Sequence, residues 1–378
     1  MKIKSIELHP VVVPMREGTL HSKGLERPLH MLRVGASKGW TKEFHQLTKF
    51  IIRIRLNDGT EGVSDSLRGE SSEASQAIAA SLIGADPRTF NLFDLPVPYS
   101  REFDGFESAL FDLIGKIRNQ SVSDMLGGRF RDRVACSGWW GHMTPEDCAR
   151  RTKYFHGKGF SSVKYKSNLL DNAIHQCAAI KKAVPSMKVI VDPNMRWERA
   201  AEALRLCHDL REIGNVWCLE DPIPRWDIDG WRHLRATGGI PLALHTHLPY
   251  IELFQKPQDP VLAWKANAID YFNFSGPMSW VMRMAHFAEL VNVPFWHGSE
   301  LDFGFLEASY LHVAAACKMC TLPSDIFSEA IREDDLIKKP LEYDGKGNYV
   351  VPKGPGLGVE LDESALKHYR QGKPIILS

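Results

Sequence analysis

No stretch of the 378-residue chain stays apolar long enough to span a bilayer, so a membrane helix is not expected. An excess of either charge is missing too. Lys and Arg total 47 against 46 Asp and Glu, a net charge of +1. The basic residues are dispersed rather than striped, which excludes nucleic acid and acidic membrane surfaces as expected partners. Cysteine is sparse: seven residues, an odd number scattered along a long chain, do not make a disulfide framework. Cys317 and Cys320 form a CxxC, yet no second pair lies nearby and the preceding Leu311–Ala316 reads as helix. Buried thiols are expected there rather than a zinc or redox centre. Low-complexity runs are absent, and Met1–Glu7 alternates like a strand instead of carrying a signal peptide's apolar core. A cytoplasmic location is the expectation.

What remains is a composition typical of soluble globular proteins, 44% hydrophobic and 25% charged, with room for a barrel plus a second unit. Residues 1–14 and about 47–65 read as strands of an antiparallel sheet, the second closed by the turn Asn57-Asp58-Gly59-Thr60. Between them lies a polar segment, 16–43, of a length usual for a lid or binding loop; its His21, Lys23, Arg27, His30 and Arg33 suit an anionic ligand or plain surface charge. Residues 71–127 read as helices broken at Pro87 and Pro96–Pro98, with Glu107–Lys116 amphipathic and a glycine stop at Gly127-Gly128. From about 131 strand and helix alternate, starting at Val134-Ala135-Cys136 and running to about 330. The segment 331–378 is turn-rich and is expected to return to the N-terminal sheet.

That alternation carries chemistry at a steady step. Val163-Lys164-Tyr165-Lys166 places two lysines on one side of a short strand. Asp192 ends the next apolar run 26 residues after Lys166, Glu220 the next after 28 more, and His245 the next after a further 25. An apolar run, a polar tip and a helix-length return are the beat of a βα barrel, whose active site gathers at the strand C-termini. Two carboxylates on adjacent tips are natural ligands for a hard divalent cation such as Mg²⁺. His245 as third ligand adds a softer nitrogen, which keeps Mn²⁺, Fe²⁺ and Zn²⁺ open. A lysine beside a dication and a second lysine has its ammonium pKa lowered, so Lys166 reads as a base. It would remove a proton α to a carboxylate that the metal holds, the metal stabilising the enediolate.

The Glu107–Lys116 helix with its Leu126-Gly127-Gly128 stop, Lys164-Tyr165-Lys166, Asp192-Pro193-Asn194 and Glu220-Asp221-Pro222, in this order, resemble the enolase superfamily in the branch of mandelate racemase and muconate lactonizing enzymes. The resemblance runs nearly end to end. From His245 to the tail Pro355-Gly356-Leu357-Gly358-Val359-Glu360 it is closest in style to glucarate dehydratase and other acid-sugar dehydratases. It implies an α/β fold, a modified TIM barrel (β/α)7β at 131–330 under an α+β capping domain at 1–130, completed by 331–378. It implies a metal-dependent lyase: Lys166 takes the α-proton, Lys164 helps neutralise the carboxylate, Asp192, Glu220 and His245 hold Mg²⁺ or another divalent cation, and His297 protonates the departing β-hydroxyl. Asn194 and Arg68 would bind hydroxyls or a distal carboxylate of a small sugar acid, and a homo-oligomer is expected. Two positions depart from the pattern. The Asp–His pair that faces the lysines in those relatives falls on Ser275 and Gly298, with His297 one residue early. Either a bulge returns His297 to the site or the second acid/base is absent. His245 and His247 flank Thr246, and either could be the third ligand. Racemisation, epimerisation or cycloisomerisation through the same intermediate is the alternative, and a ligand-binding relative without turnover is a third reading.

Overall fold

The computed structural model describes residues 1–25, 45–247, 258–327 and 330–378, with His247 as backbone only. Of the polar 16–43 segment, residues 26–43, with Arg27, His30 and Arg33, lie outside the described residues, as does the side chain of His247.

Strands β1 (Ile3–Pro14), β2 (Gln46–Leu56) and β3 (Glu61–Asp65) form an antiparallel sheet. In β1 buried and more accessible positions alternate over much of the length, as a half-buried strand requires. Helices α1 (Ser72–Leu82), α2 (Phe103–Arg118) and the short α3 (Val122–Met125) follow. Asn119 in the left-handed region, φ 51°, ends α2, and a Ser121–Asp124 capping box starts α3.

Next come β4 (Arg133–Ala135), β5 (Gly138–Trp140), α4 (Pro145–Gly157), β6 (Ser162–Lys166), α5 (Ala173–Ala183), β7 (Lys188–Asp192), α6 (Ala200–Ile213), β8 (Val216–Glu220), α7 (Ile228–Thr237), β9 (Leu242–His247), α8 (Asp259–Lys265), β10 (Tyr271–Ser275), α9 (Met278–Leu290), β11 (Phe295–His297) and α10 (Gly304–Ala316). The chain finishes with β12 (Asn348–Val350), α11 (Glu363–Tyr369) and β13 (Ile375–Leu377). β5 to β11 make one parallel sheet in sequence order, and β13 adds to the free edge of β1. Among the described residues no helix is long and apolar enough to cross a membrane.

The parallel sheet curls into a ring that an irregular eighth segment, 319–325, closes. On one side Phe295 N donates to Met319 O (3.0 Å) and Asp325 N to His297 O (2.8 Å). On the other, Ser324 N donates to Ala135 O (2.7 Å) and Ser137 N to Ser324 O (3.0 Å). The fold is the (β/α)7β form of the TIM barrel beneath an antiparallel N-terminal sheet. One expectation needs correcting. Val134 does not open the barrel: β4 pairs antiparallel with β12, Val134 opposite Tyr349, and the first regular barrel strand is β5. An apolar run shows that a strand forms, not which strand it will join. All seven cysteines are buried and free, including Cys317 and Cys320.

Candidate active site

Parallel strands in register present alternate side chains to the same face. Ile190, Cys218, Ala243 and Trp296 make a small apolar cluster inside the ring. Two residues further along their strands, on that face, stand Asp192, Glu220 and His245. Lys164 and Lys166 join them from β6, with Lys164 Nζ 5.8 Å from the centre of the Trp296 ring.

The five side chains form one cluster, the lysines and carboxylates buried and His245 partly exposed. Lys166 Nζ lies 2.5 Å from Asp192 Oδ2. Lys164 Nζ meets Glu220 Oε2 at 2.6 Å, Asp325 Oδ2 at 2.7 Å and Asp192 Oδ2 at 3.6 Å. His245 spans Glu220 and Ser275, with Nδ1 3.4 Å from Glu220 Oε1 and Nε2 2.7 Å from Ser275 Oγ. Asn273 Nδ2 donates to Glu220 Oε1 at 3.0 Å. Burial alone would discharge Lys164, but Asp325, Glu220 and Asp192 outweigh it and hold the ammonium well above its ordinary pKa. Burial likewise opposes ionisation of Asp192, and Lys166 and Lys164 overcome it, keeping that carboxyl well below its usual range. Glu220 is pushed up, first by burial and then by the neighbouring Asp192 charge.

The donor set can be tested against a divalent cation. Among the described residues no three Asp, Glu, His or Cys side chains stand arranged as a ready metal-holding group. The chemistry nevertheless fits: two buried carboxylates on adjacent strand ends already share one positive charge, Lys164, and the His245 imidazole faces one of them. The residues that would hold the cation are Asp192, Glu220 and His245.

Three other expected residues fare differently. Asn194 follows β7 in a turn at φ 49°; its amide donates to Asp192 Oδ1 (3.0 Å), and its buried Oδ1 has no hydrogen-bond partner among the described residues. Arg68 is engaged by Glu300, Nη2 to Oε2 at 2.5 Å, with Arg101 on the same carboxylate at 3.5 Å. His297 is not brought to the site. β11 pairs with β10 in unbroken register, Phe274 beside His297 and Asn273 beside Trp296, so no bulge rotates it inward. It faces out with Phe274, its ring stacked on Tyr310 at 4.4 Å and Nδ1 against Gly298 O. Gly298 does face inward, but a Cβ there would lie 2.5 Å from Asn273 Oδ1, so a histidine at that position requires Asn273 to move. Sequence reasoning missed Asp325 and Asn273. Asn273 had a readable signal, since it sits two residues before Ser275 on the same strand face. Asp325 had none, because Leu322-Pro323-Ser324-Asp325 lacks a strand pattern.

A lysine–carboxylate cluster at the C-terminal mouth of a (β/α)7β barrel, with an antiparallel N-terminal sheet completed by the chain's last strand, defines an enolase-type protein. Residues 147–365, more than half of the chain, match the Enolase C-terminal domain-like family, and the chain belongs to that family within the enolase superfamily. It is 24% identical to the N-succinyl-L-Arg/Lys racemase of Bacillus cereus over 97% of each chain. It is 25% identical to the arabinonate dehydratase of Saccharolobus solfataricus over 70% of this chain and 71% of that one. The crystal structure of 2-chloromuconate cycloisomerase from Rhodococcus opacus superposes with a TM-score of 0.80 at 24% identity, covering 98% of this chain and 99% of that one.

Proposed function

We propose that this chain is an acid-sugar dehydratase, a hydro-lyase that removes the proton α to a carboxylate of a small hydroxy acid and expels the β-hydroxyl. The observation that carries this reading is the juxtaposition of Lys166 and Lys164 with Asp192 and Glu220 in one buried cluster. Lys166 is the base. Lys164 stays positively charged and offers a fixed ammonium to the substrate carboxylate as negative charge builds on it. A divalent cation held by Asp192, Glu220 and His245, Mg²⁺ in first place with Mn²⁺ as alternative, would supply Lewis-acid stabilisation of the same carboxylate. Asn194 Oδ1, buried and unpartnered among the described residues, accepts a hydrogen bond from a substrate hydroxyl. Dehydration needs one base, Lys166, which after taking the α-proton can return it to the departing β-hydroxyl on the same face so that water leaves, whereas racemisation needs bases on both faces. The outward His297 and the bare Gly298 therefore argue against racemisation. Cycloisomerisation through the same intermediate also needs one base and is the second reading.

The test is incubation of the purified protein with a panel of sugar acids in D₂O containing Mg²⁺ or Mn²⁺, followed by proton NMR. A 2-keto-3-deoxy product, abolished in Lys166→Ala, supports dehydration. Lactone formation would favour cycloisomerisation. An unchanged α-proton signal across the panel would refute the assignment of Lys166 as base.

A further inference from the structure

Strand β10 carries an amide in aromatic company. Tyr271-Phe272-Asn273-Phe274 has an aromatic ring on each side of Asn273, and asparagine is among the residues depleted from strands. Phe272 and Phe274 pack outward, against Phe287 and Phe295. Asn273 therefore looks inward. In the strand register it stands between His245 on β9 and Trp296 on β11, and it is fully buried. An amide buried this deeply needs a partner to offset its lost hydration.

That partner is Glu220, two strands away: Nδ2 donates to Glu220 Oε1 at 3.0 Å. The reach is possible because β9, the strand between, sets only the methyl of Ala243 beside Glu220. Lys164 Nζ holds the other oxygen, Oε2, at 2.6 Å, so the carboxylate is gripped at both ends. Asn273 supplies its share without adding a charge to a cluster already rich in carboxylates. The amide is hemmed in from the opposite side as well. A Cβ on Gly298 would lie 2.5 Å from Oδ1 and 3.1 Å from Nδ2. Oδ1 has no hydrogen-bond partner among the described residues. The side chain's place is therefore set by Glu220 on one side and by the space over Gly298 on the other. A methyl group at 298 would push the amide out of that place.

We infer that Asn273 is a positioning residue that holds the Glu220 carboxylate as a ligand for a divalent cation, in room that glycine at 298 provides. This rests on the reading that Asp192, Glu220 and His245 take the cation. The ligand class is an oxygen-seeking dication, Mg²⁺ or Mn²⁺.

The test is titration of the purified protein with Mn²⁺, read from the electron paramagnetic resonance signal of the free ion, with urea midpoints in EDTA as the folding control. Asn273→Leu branches at the same carbon and offers no hydrogen. It is expected to bind Mn²⁺ about ten- to a hundredfold more weakly, the usual cost of losing a hydrogen bond to a metal ligand. Gly298→Ala removes no polar group, yet it is expected to weaken binding in the same direction by displacing the amide from Glu220. Placed in Asn273→Ala, where the amide is gone, the same alanine should change nothing further. A purely structural role for Asn273 would not produce that dependence. Wild-type affinity in Asn273→Leu, or a Gly298→Ala effect that persists in Asn273→Ala, would overturn the inference while Asp192→Asn still abolishes binding. Absence of saturable binding to the wild type, or binding that survives Asp192→Asn, would remove the cation reading and this inference together. Failure of the dehydratase reading shows separately, as an unchanged α-proton signal across the sugar acids with the affinity pattern intact.

Discussion

Lys164→Met tests the charge balance on which the site is built. The substitution keeps the length of the stem and removes the one ammonium shared by Asp192, Glu220 and Asp325, at 3.6, 2.6 and 2.7 Å. All three carboxylates are buried, so none recovers its hydration. Removing one partner of a buried ion pair costs about 3–5 kcal/mol, and here one deletion takes the ammonium from both Glu220 and Asp325, while Asp192 keeps Lys166 at 2.5 Å. Proton uptake by Glu220 and Asp325, both already pushed upward by burial, limits the loss, so the upper end of that range is expected only at alkaline pH. Urea unfolding at pH 8 in EDTA, followed through the ten tryptophans, should show a clearly lowered midpoint. Mg²⁺ or Mn²⁺ then returns charge to Asp192 and Glu220. At a hundred times its dissociation constant a dication restores about 2.7 kcal/mol, and the added change Asp192→Asn should abolish the recovery. An unaltered midpoint in EDTA would refute the reasoning, since it would mean that the three acids do not depend on Lys164.

Two further outcomes follow from groups outside the cluster. His312 is fully buried, its Nδ1 accepting from Ser123 N (3.2 Å) and its Nε2 donating to Leu357 O (3.1 Å). Burial lowers its pKa from 6.5 to about 4, so the unfolded chain binds the extra proton first; its contribution is complete above pH 6.5 and is lost as pH falls toward 4. Relative to His312→Asn, the wild type should lose about 3 kcal/mol of stability between pH 7 and pH 4, and parallel pH curves would contradict this. His297→Leu should lower the unfolding midpoint by about 1–3 kcal/mol in stability through loss of the Tyr310 stack and the Gly298 bond, with α-proton exchange held within about twofold of wild type. Loss of exchange in a folded His297→Leu protein would return that residue to the site.

The sequence discloses best what repeats. Lys166, Asp192, Glu220 and His245 were legible because each closes an apolar run of strand length, and a barrel turns that linear beat into one rim. His297 sits in a correctly expected strand, yet a single residue of parity decides which face it takes, and parity is fixed by the pairing of Trp296 with Asn273. Asp325 depends on ring closure by a segment that has hydrogen bonds to both neighbours but no β-forming pattern. β4 looks like a first barrel strand because Val134-Ala135-Cys136 is apolar; its partner β12 lies more than two hundred residues away and leaves no local mark. His21 stands in a polar stretch without periodicity, and only Gly141, through the room it leaves, shows where it docks.

The pairing of β13 with β1 has a consequence for how the molecule is made. Leu377 lies opposite Ile6, so β1 keeps one unpaired edge until β13, which follows the whole barrel in the chain, has been made. Until then that edge is open to any passing strand, and the four-stranded sheet β13-β1-β2-β3 lacks its outer member while the barrel between them is being synthesised.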